Sequence, residues 1–121
     1  KEERADMLAS TLFLNQGNKT FTTEQLPEAL QLAPLFAFNS AGNEQVLAAG
    51  NFFGVIPYEG RYDAQLPTLF SRRKPLRVAE ANQQLSLAGI EIRDIKWIRT
   101  AGNKQLLVLA SNNGPLYFFR Q

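Results

Sequence analysis

Apolar and polar positions follow one another in short runs bounded by Gly, Pro, Asn and Ser, a pattern of half-buried strands with almost no helix. Ala5 to Ser10 has the composition of a turn or two of helix. From Thr11 to Asn15 the chain is rich in strand formers and stops at Gln16-Gly17-Asn18-Lys19, where Gly17 can take the positive φ of a tight hairpin. Thr20 to Thr23 then reads as a short return strand. Leu26, Leu30 and Leu32 nearly share a helical face, but Pro27 and Pro34 bracket them and favour a loop or a single helical turn.

Two stretches, 32–47 and 92–107, echo each other at a separation of about 60 residues. In each, an apolar strand leads through a Gly-Asn turn (Gly42-Asn43, Gly102-Asn103) into a more continuously apolar strand, Val46 to Gly50 or Leu106 to Ala110. Strands apolar at nearly every position are normally buried on both faces, so both are expected in the core. Asn-containing loops follow, at Gly50-Asn51 and at Ser111 to Gly114. Between the echoes, Phe52 to Asp63 is broken by Gly54, Pro57 and Gly60 and reads as an ordered loop rich in aromatic groups. Leu66 to Ser71 and Leu76 to Glu80 look like strands flanking Arg72-Arg73-Lys74, and Pro115 to Arg120 closes the chain as another. The sum is roughly nine short strands, enough for two four-stranded sheets and a spare strand.

At 121 residues the chain is sized for one domain, 1–121, and 45% hydrophobic with 20% charged residues is ordinary for a globular protein. The absence of Cys and His leaves no thiol nucleophile, no Ser-His-Asp relay, no disulfide framework and no thiolate or imidazole zinc site. A formal charge of +2, with one basic run at 72–74 and Arg77 near it, is too dilute for the phosphate contacts of a nucleic-acid binder. No apolar stretch approaches the ~20 residues of a membrane span. Zero Cys fits an extracytoplasmic protein as well as a cytoplasmic one.

Candidate chemistry is sparse. A calcium loop needs several hard oxygens converging on the ion, and Asn39, Asn43 and Glu44 supply too little charge; the simpler reading is a hairpin turn. Glu59 and Asp63, near Arg61, are the one carboxylate pair clustered in an apolar loop, and acid/base catalysis needs such a pair. The favoured reading is that Arg61 and its acidic neighbours hold the loop together by hydrogen bonds. Phe52, Phe53, Tyr58 and Tyr62 offer a stacking platform, but the favoured reading is packing against a neighbouring sheet. Trp97 shares a side of its strand with Ile95, which predicts packing between sheets, and Arg93 and Asp94 are expected to bond backbone groups where that strand begins.

The string from Leu8 to Gly17, Phe21, Leu26-Pro27, Gln31, Ala33-Pro34, Gly50-Asn51-Phe52, Gly54-Val55, Pro57, the run Glu59 to Ala64, Ile92 to Ile95, Leu109-Ala110, Asn112-Asn113 and Phe119-Arg120 resembles the C-terminal region of bacterial FG-GAP/VCBS repeat proteins. These are large secreted or surface β-propellers that often carry an ASPIC/UnbV domain. The resemblance implies an all-β, partial β-propeller of about two blades of antiparallel sheet, with copies at about 11–70 and 71–121; the alternative is a closed β-barrel or sandwich. It departs from the family where acidic turn residues are missing at 39–46, so no metal is carried over, and where Arg72-Arg73-Lys74 replaces a glycine-rich turn. No catalytic residue and no cofactor is expected. The expected role is a binding or scaffolding module of an exported or cell-surface protein, meeting a protein or glycan partner through Asn51, Tyr58, Glu59, Arg61, Tyr62 and Asp63. Two blades cannot close a ring, so remaining blades or self-association would cover the open faces. The competing readings are a glycan-directed hydrolase fragment using Glu59 and Asp63, and a purely structural terminal piece.

Overall fold

A computed structural model describes residues 3–42, 44–79 and 85–120. The described residues are all-β, with eight strands among them: β1 (Thr11–Gly17), β2 (Thr20–Gln25), β3 (Leu35–Ser40), β4 (Gln45–Gly50), β5 (Thr68–Ser71), β6 (Ile92–Arg99), β7 (Gln105–Ser111) and β8 (Leu116–Arg120). They form three antiparallel sheets, β1-β2, β3-β4-β5 and β6-β7-β8, none closed into a barrel. The expected two four-stranded sheets are therefore corrected to two of three strands and one of two. Leu76 to Glu80 is reduced to one bridge, Val78 to Phe70, and Glu80 lies outside the described residues. Ala5 to Ser10 forms no helix, and the segment between Pro27 and Pro34 makes one 3-10 turn, Glu28–Leu30. Asn18 and Lys19 join Gly17 at positive φ, so the first hairpin turn uses three left-handed residues in succession.

The two echoing stretches become the paired strands β3-β4 and β6-β7, each with a register shift near its start, at Leu35/Ala37 and Ile92/Asp94. The two apolar ribbons are the central strands of separate sheets. β4 is buried on both faces from Leu47 to Gly50. β7 is not: Leu107 and Leu109 are buried, while Leu106, Val108 and Ala110 are only half-buried because no sheet covers that side.

The hairpins β1-β2, β3-β4 and β6-β7 close the same way. The residue after the second strand donates its N–H to the carbonyl of the residue before the first: Leu26 to Ser10 at 2.9 Å, Asn51 to Pro34 at 2.9 Å, Asn112 to Glu91 at 2.8 Å. For L-residues in an extended strand, the direction of the N–H within the sheet fixes the face on which the side chain lies. Leu26 and Asn112, and in β4 Ala49, two residues before Asn51, whose φ of 83° takes it out of the rule, thus mark equivalent faces, here termed the fronts. Strand alternation and register put Leu12 on the front of the first sheet, Ala37, Asn39, Leu47 and Ala49 on that of the second, and Ile98, Leu106, Val108 and Phe118 on that of the third.

The packing then has one polarity. Leu26 and Leu30 meet Ala48 and Phe70 of the second sheet's back, with Leu12 and Val46 alongside. Ala37, Leu47 and Ala49 of the second sheet's front meet Ile95, Leu107 and Leu109 of the third sheet's back. Trp97, Tyr117 and Phe119 flank that second cluster, as the pairing of Trp97 with Ile95 on one strand side requires. Leu30, Ile95 and Leu109 are fully buried, each contributing at most about 2 kcal/mol of transfer free energy. Asn39 crosses the interface and donates its side-chain amide to the Ile95 carbonyl at 2.9 Å. Sheets stacked in this way meet front to back throughout, and both ends of the stack lie open.

Candidate functional site

The loop after β4 starts from Asn51, held at φ 83° by a side chain that is wholly consumed. Its amide donates to the Gln65 carbonyl at 2.9 Å and the Ile90 carbonyl at 2.8 Å, and its oxygen accepts the Gln65 N–H at 2.9 Å. Asn51 is fully buried. Its place among the expected ligand contacts is corrected on that ground: the residue holds both ends of the loop and the strand-leading segment at Ile90, and presents nothing to solvent. Gln65, also buried, extends the clasp by donating to the Ala29 carbonyl at 2.9 Å.

One step further out, Phe52 and Tyr62 exchange both backbone hydrogen bonds, at 2.8 and 3.0 Å, and pinch the loop into a lobe of residues 53–61. The lobe turns at Ile56 to Gly60, where the Glu59 N–H reaches the Ile56 carbonyl at 3.0 Å and Gly60 takes φ 78°. Tyr58 stands at this turn 85% exposed. Arg61 does not pair with Glu59 or Asp63, contrary to the expected hydrogen-bonded cluster; its guanidinium lies over the Phe53 ring at 4.9 Å. Phe53, Val55, Ile56, Pro57, Gly60 and Arg61 line a shallow open cleft on the lobe. Glu59 and Asp63 are both exposed.

Sequence reasoning missed the charged cluster beneath this lobe. Glu91 is 3% exposed and pairs with Arg93, whose guanidinium covers the Phe36 ring at 3.9 Å and reaches the Phe52 ring at 5.7 Å. The second carboxylate oxygen of Glu91 accepts from the Asn112 side-chain amide at 2.9 Å. A signal was present: Glu91 sits between Ile90 and Ile92, and Arg93 follows at the two-residue spacing that puts both side chains on one side of a strand. Arg93 thus bonds a side chain rather than the expected backbone. Asp94 does bond backbone, accepting the Ile95 N–H at 2.8 Å, and also pairs with Lys96 at 3.1 Å. The Lys96 ammonium first, and the Ile95 N–H second, hold the Asp94 carboxyl below its ordinary value.

Two of the three residues of the basic run are in ion pairs, Arg73 with Glu44 and Lys74 with Glu24, the latter at 2.7 Å, while Arg72 lines the groove between the first and second sheets. Glu44 and Asn39 are accordingly committed to protein partners, and Asn43 lies outside the described residues. Among the described residues no group of three or more Asp or Glu side chains converges on a metal position. A separate groove of about 530 Å³ between the first and second sheets is walled by Leu12, Leu26, Leu35, Phe38, Val46 and Phe70, with no carboxylate in it. No helix among the described residues is long and apolar enough to cross a membrane. Compared with known proteins, the chain matches no family model, no curated protein and no solved structure.

Proposed function

We propose that this chain is a non-catalytic binding and scaffolding module: a propeller-like stack of sheets that carries a rigid recognition lobe, 53–61, on the loop after β4. The observation that carries the reading is the exposure of Tyr58 at the tip of a lobe whose base is clamped twice, by Asn51 and by the Phe52–Tyr62 bridge. Clamping removes the ordering cost that a mobile loop would incur on binding, and an exposed tyrosine beside an arginine provides a stacking face with hydrogen-bonding capacity. Tyr58, Arg61 and Tyr62 are the contact residues in this reading, with Glu59 and Asp63 as polar flanks. The front-to-back order of the sheets supports the propeller-like architecture, because successive blades meet through opposite faces whereas the two sheets of a symmetric sandwich meet through like ones. The resemblance to FG-GAP/VCBS proteins supports an exported or cell-surface setting and a glycan as the ligand class.

The test is calorimetric titration of the chain with a panel of neutral and acidic oligosaccharides, repeated with Tyr58→Ala. The expected result is saturable binding to at least one of them that weakens tenfold or more in the variant while the melting temperature stays within about 1 °C. Loss of melting temperature along with binding would make the lobe structural. Hydrolysis of any sugar, abolished by Glu59→Gln, would make the chain an enzyme.

A further inference from the structure

The three consecutive bases at 72–74 are divided in their use. Arg73 is paired with Glu44 and Lys74 with Glu24, so the acids that reach the run are already neutralised. Arg72 has no carboxylate partner among the described residues. The backbone fixes its side: the Arg72 N–H donates to the Glu44 carbonyl at 2.8 Å, which carries the β4-β5 pairing one step beyond Ser71, and Arg72 follows Phe70 at the two-residue spacing of one strand face. Phe70 lies on the back of the second sheet, so the unpaired cation is delivered to that face and lines the groove of about 530 Å³ between the first and second sheets.

In this groove the stacking of the two sheets is unfinished. Leu26 and Leu30 meet Ala48 and Phe70 and close one part of the interface. Beyond it, Leu12 and Val46 are only half-buried, and Phe38, which pairs with Ala48 and shares its face, stays 51% exposed although it points toward the first sheet. The walls are thus apolar on two sides, and the volume falls within the roughly 300–1,000 Å³ usual for small-molecule sites. The lining carries one charge, that of Arg72.

An apolar slot with one uncompensated guanidinium selects a ligand of the same layout, a hydrocarbon body ending in one carboxylate. The body takes the ring of Phe38 and the side chains of Leu12 and Val46 out of water, and the guanidinium fork meets both carboxylate oxygens. A neutral head forgoes the second contact, and a cationic head is repelled. We propose that this groove binds a single-chain carboxylate, a medium-chain fatty acid, with its chain between Leu12 and Phe38 and its head on Arg72. The site shares no residue with the 53–61 lobe and does not depend on it.

The experiment is calorimetric titration of the whole chain with octanoate below its micellar concentration, beside octan-1-ol and octylammonium as probes of equal chain length. Octanoate should bind saturably at a single site and at least about tenfold more tightly than octan-1-ol, and octylammonium should not bind. Arg72→Gln should weaken octanoate to the level of octan-1-ol, whereas Lys104→Gln, which removes a cation from the turn between β6 and β7, should leave it unchanged. Phe38→Ala should weaken both ligands, and a cooperative thermal melt establishes that each variant folds. The comparison of the three probes uses the unaltered chain and stands even if a variant does not fold. No saturable binding of octanoate at millimolar concentration overturns the proposal. So do equal affinities for octanoate and octan-1-ol, or a loss in Lys104→Gln as large as in Arg72→Gln, which would make the attraction one of net charge. A wild-type dimer that Phe38→Ala dissolves and octanoate leaves intact would assign the groove to a second copy and overturn it too.

Discussion

Asn112 is bound to Glu91 twice: its backbone N–H donates to the Glu91 carbonyl at 2.8 Å and its side-chain amide to the Glu91 carboxylate at 2.9 Å. The same carboxylate is paired with Arg93, so one buried acid joins the end of β7, the start of β6 and, through Arg93 on Phe36, the start of β3. The linkage thus reaches the start of β3, which pairs with the end of β4 from which the 53–61 lobe leaves.

Removing the acid leaves the Arg93 guanidinium two-thirds buried over aromatic rings without its counter-charge, and leaves the Asn112 amide without an acceptor. Glu91→Ala should therefore cost about 3 kcal/mol, roughly 10 °C in melting temperature. A Glu91→Leu/Arg93→Leu double variant should recover much of that loss, because the uncompensated charge is gone. Thermal denaturation of the single and the double variant checks this: equal losses in Glu91→Ala and the double variant would assign the cost to packing alone.

The pair Asp94 and Lys96 looks similar in sequence and should behave differently. Its carboxyl is exposed, and its ionised form is favoured by Lys96 and by the Ile95 N–H below the ordinary value of 3.8. A carboxyl depressed in the folded state contributes stability above its unfolded pKa and loses it as pH falls through the folded one. Asp94→Asn should thus be slightly less stable than wild type at pH 7, with the gap closing below about pH 3.8 and shrinking in high salt. Denaturant melts at pH 7 and pH 2.5, with and without salt, measure it. A gap that widens in acid would contradict the assigned contacts.

The contrast between those two acids also explains what could be read from the chain and what could not. Strand identity was legible wherever turn chemistry punctuated an apolar run, as at Gly17-Asn18 and Gly102-Asn103, because both signals are local. Whether a strand has one neighbour sheet or two is not local. Val46 to Gly50 and Leu106 to Ala110 have the same apolar character, yet the former is covered on both sides and the latter on one. Asn51 read as a loop residue free to meet a ligand, since nothing nearby in sequence shows that Gln65 and Ile90 come to it across 14 and 39 residues. Ile90 and Ile92 on either side of Glu91 hinted at its burial, but its amide partner Asn112 is 21 residues away and could not be read from them. Gly60 was legible as a break in the loop, but Tyr58, favoured as packing against a neighbouring sheet, is exposed, because nothing local shows which loop aromatics a neighbouring sheet will cover.

Gly50 marks a close approach of backbone at the end of β4. It pairs with Leu35 as Ser111 pairs with Ile92, so the two occupy matching positions one residue before the closing hydrogen bond. A Cβ added at Gly50 would lie 1.9 Å from the Pro34 oxygen and 2.8 Å from the Leu35 Cα, both backbone atoms held by the Asn51 closure. Ser111 tolerates a side chain and uses it, its hydroxyl donating to the Pro115 carbonyl at 2.8 Å. Gly50→Ala should therefore destabilise by about 3 kcal/mol or more, since the strand must shift to admit a methyl group. Ser111→Gly loses one exposed hydrogen bond and some backbone restriction, for about 1 kcal/mol. Paired urea melts give the answer directly: equal effects at the two positions would mean that the Pro34 carbonyl does not press on Gly50.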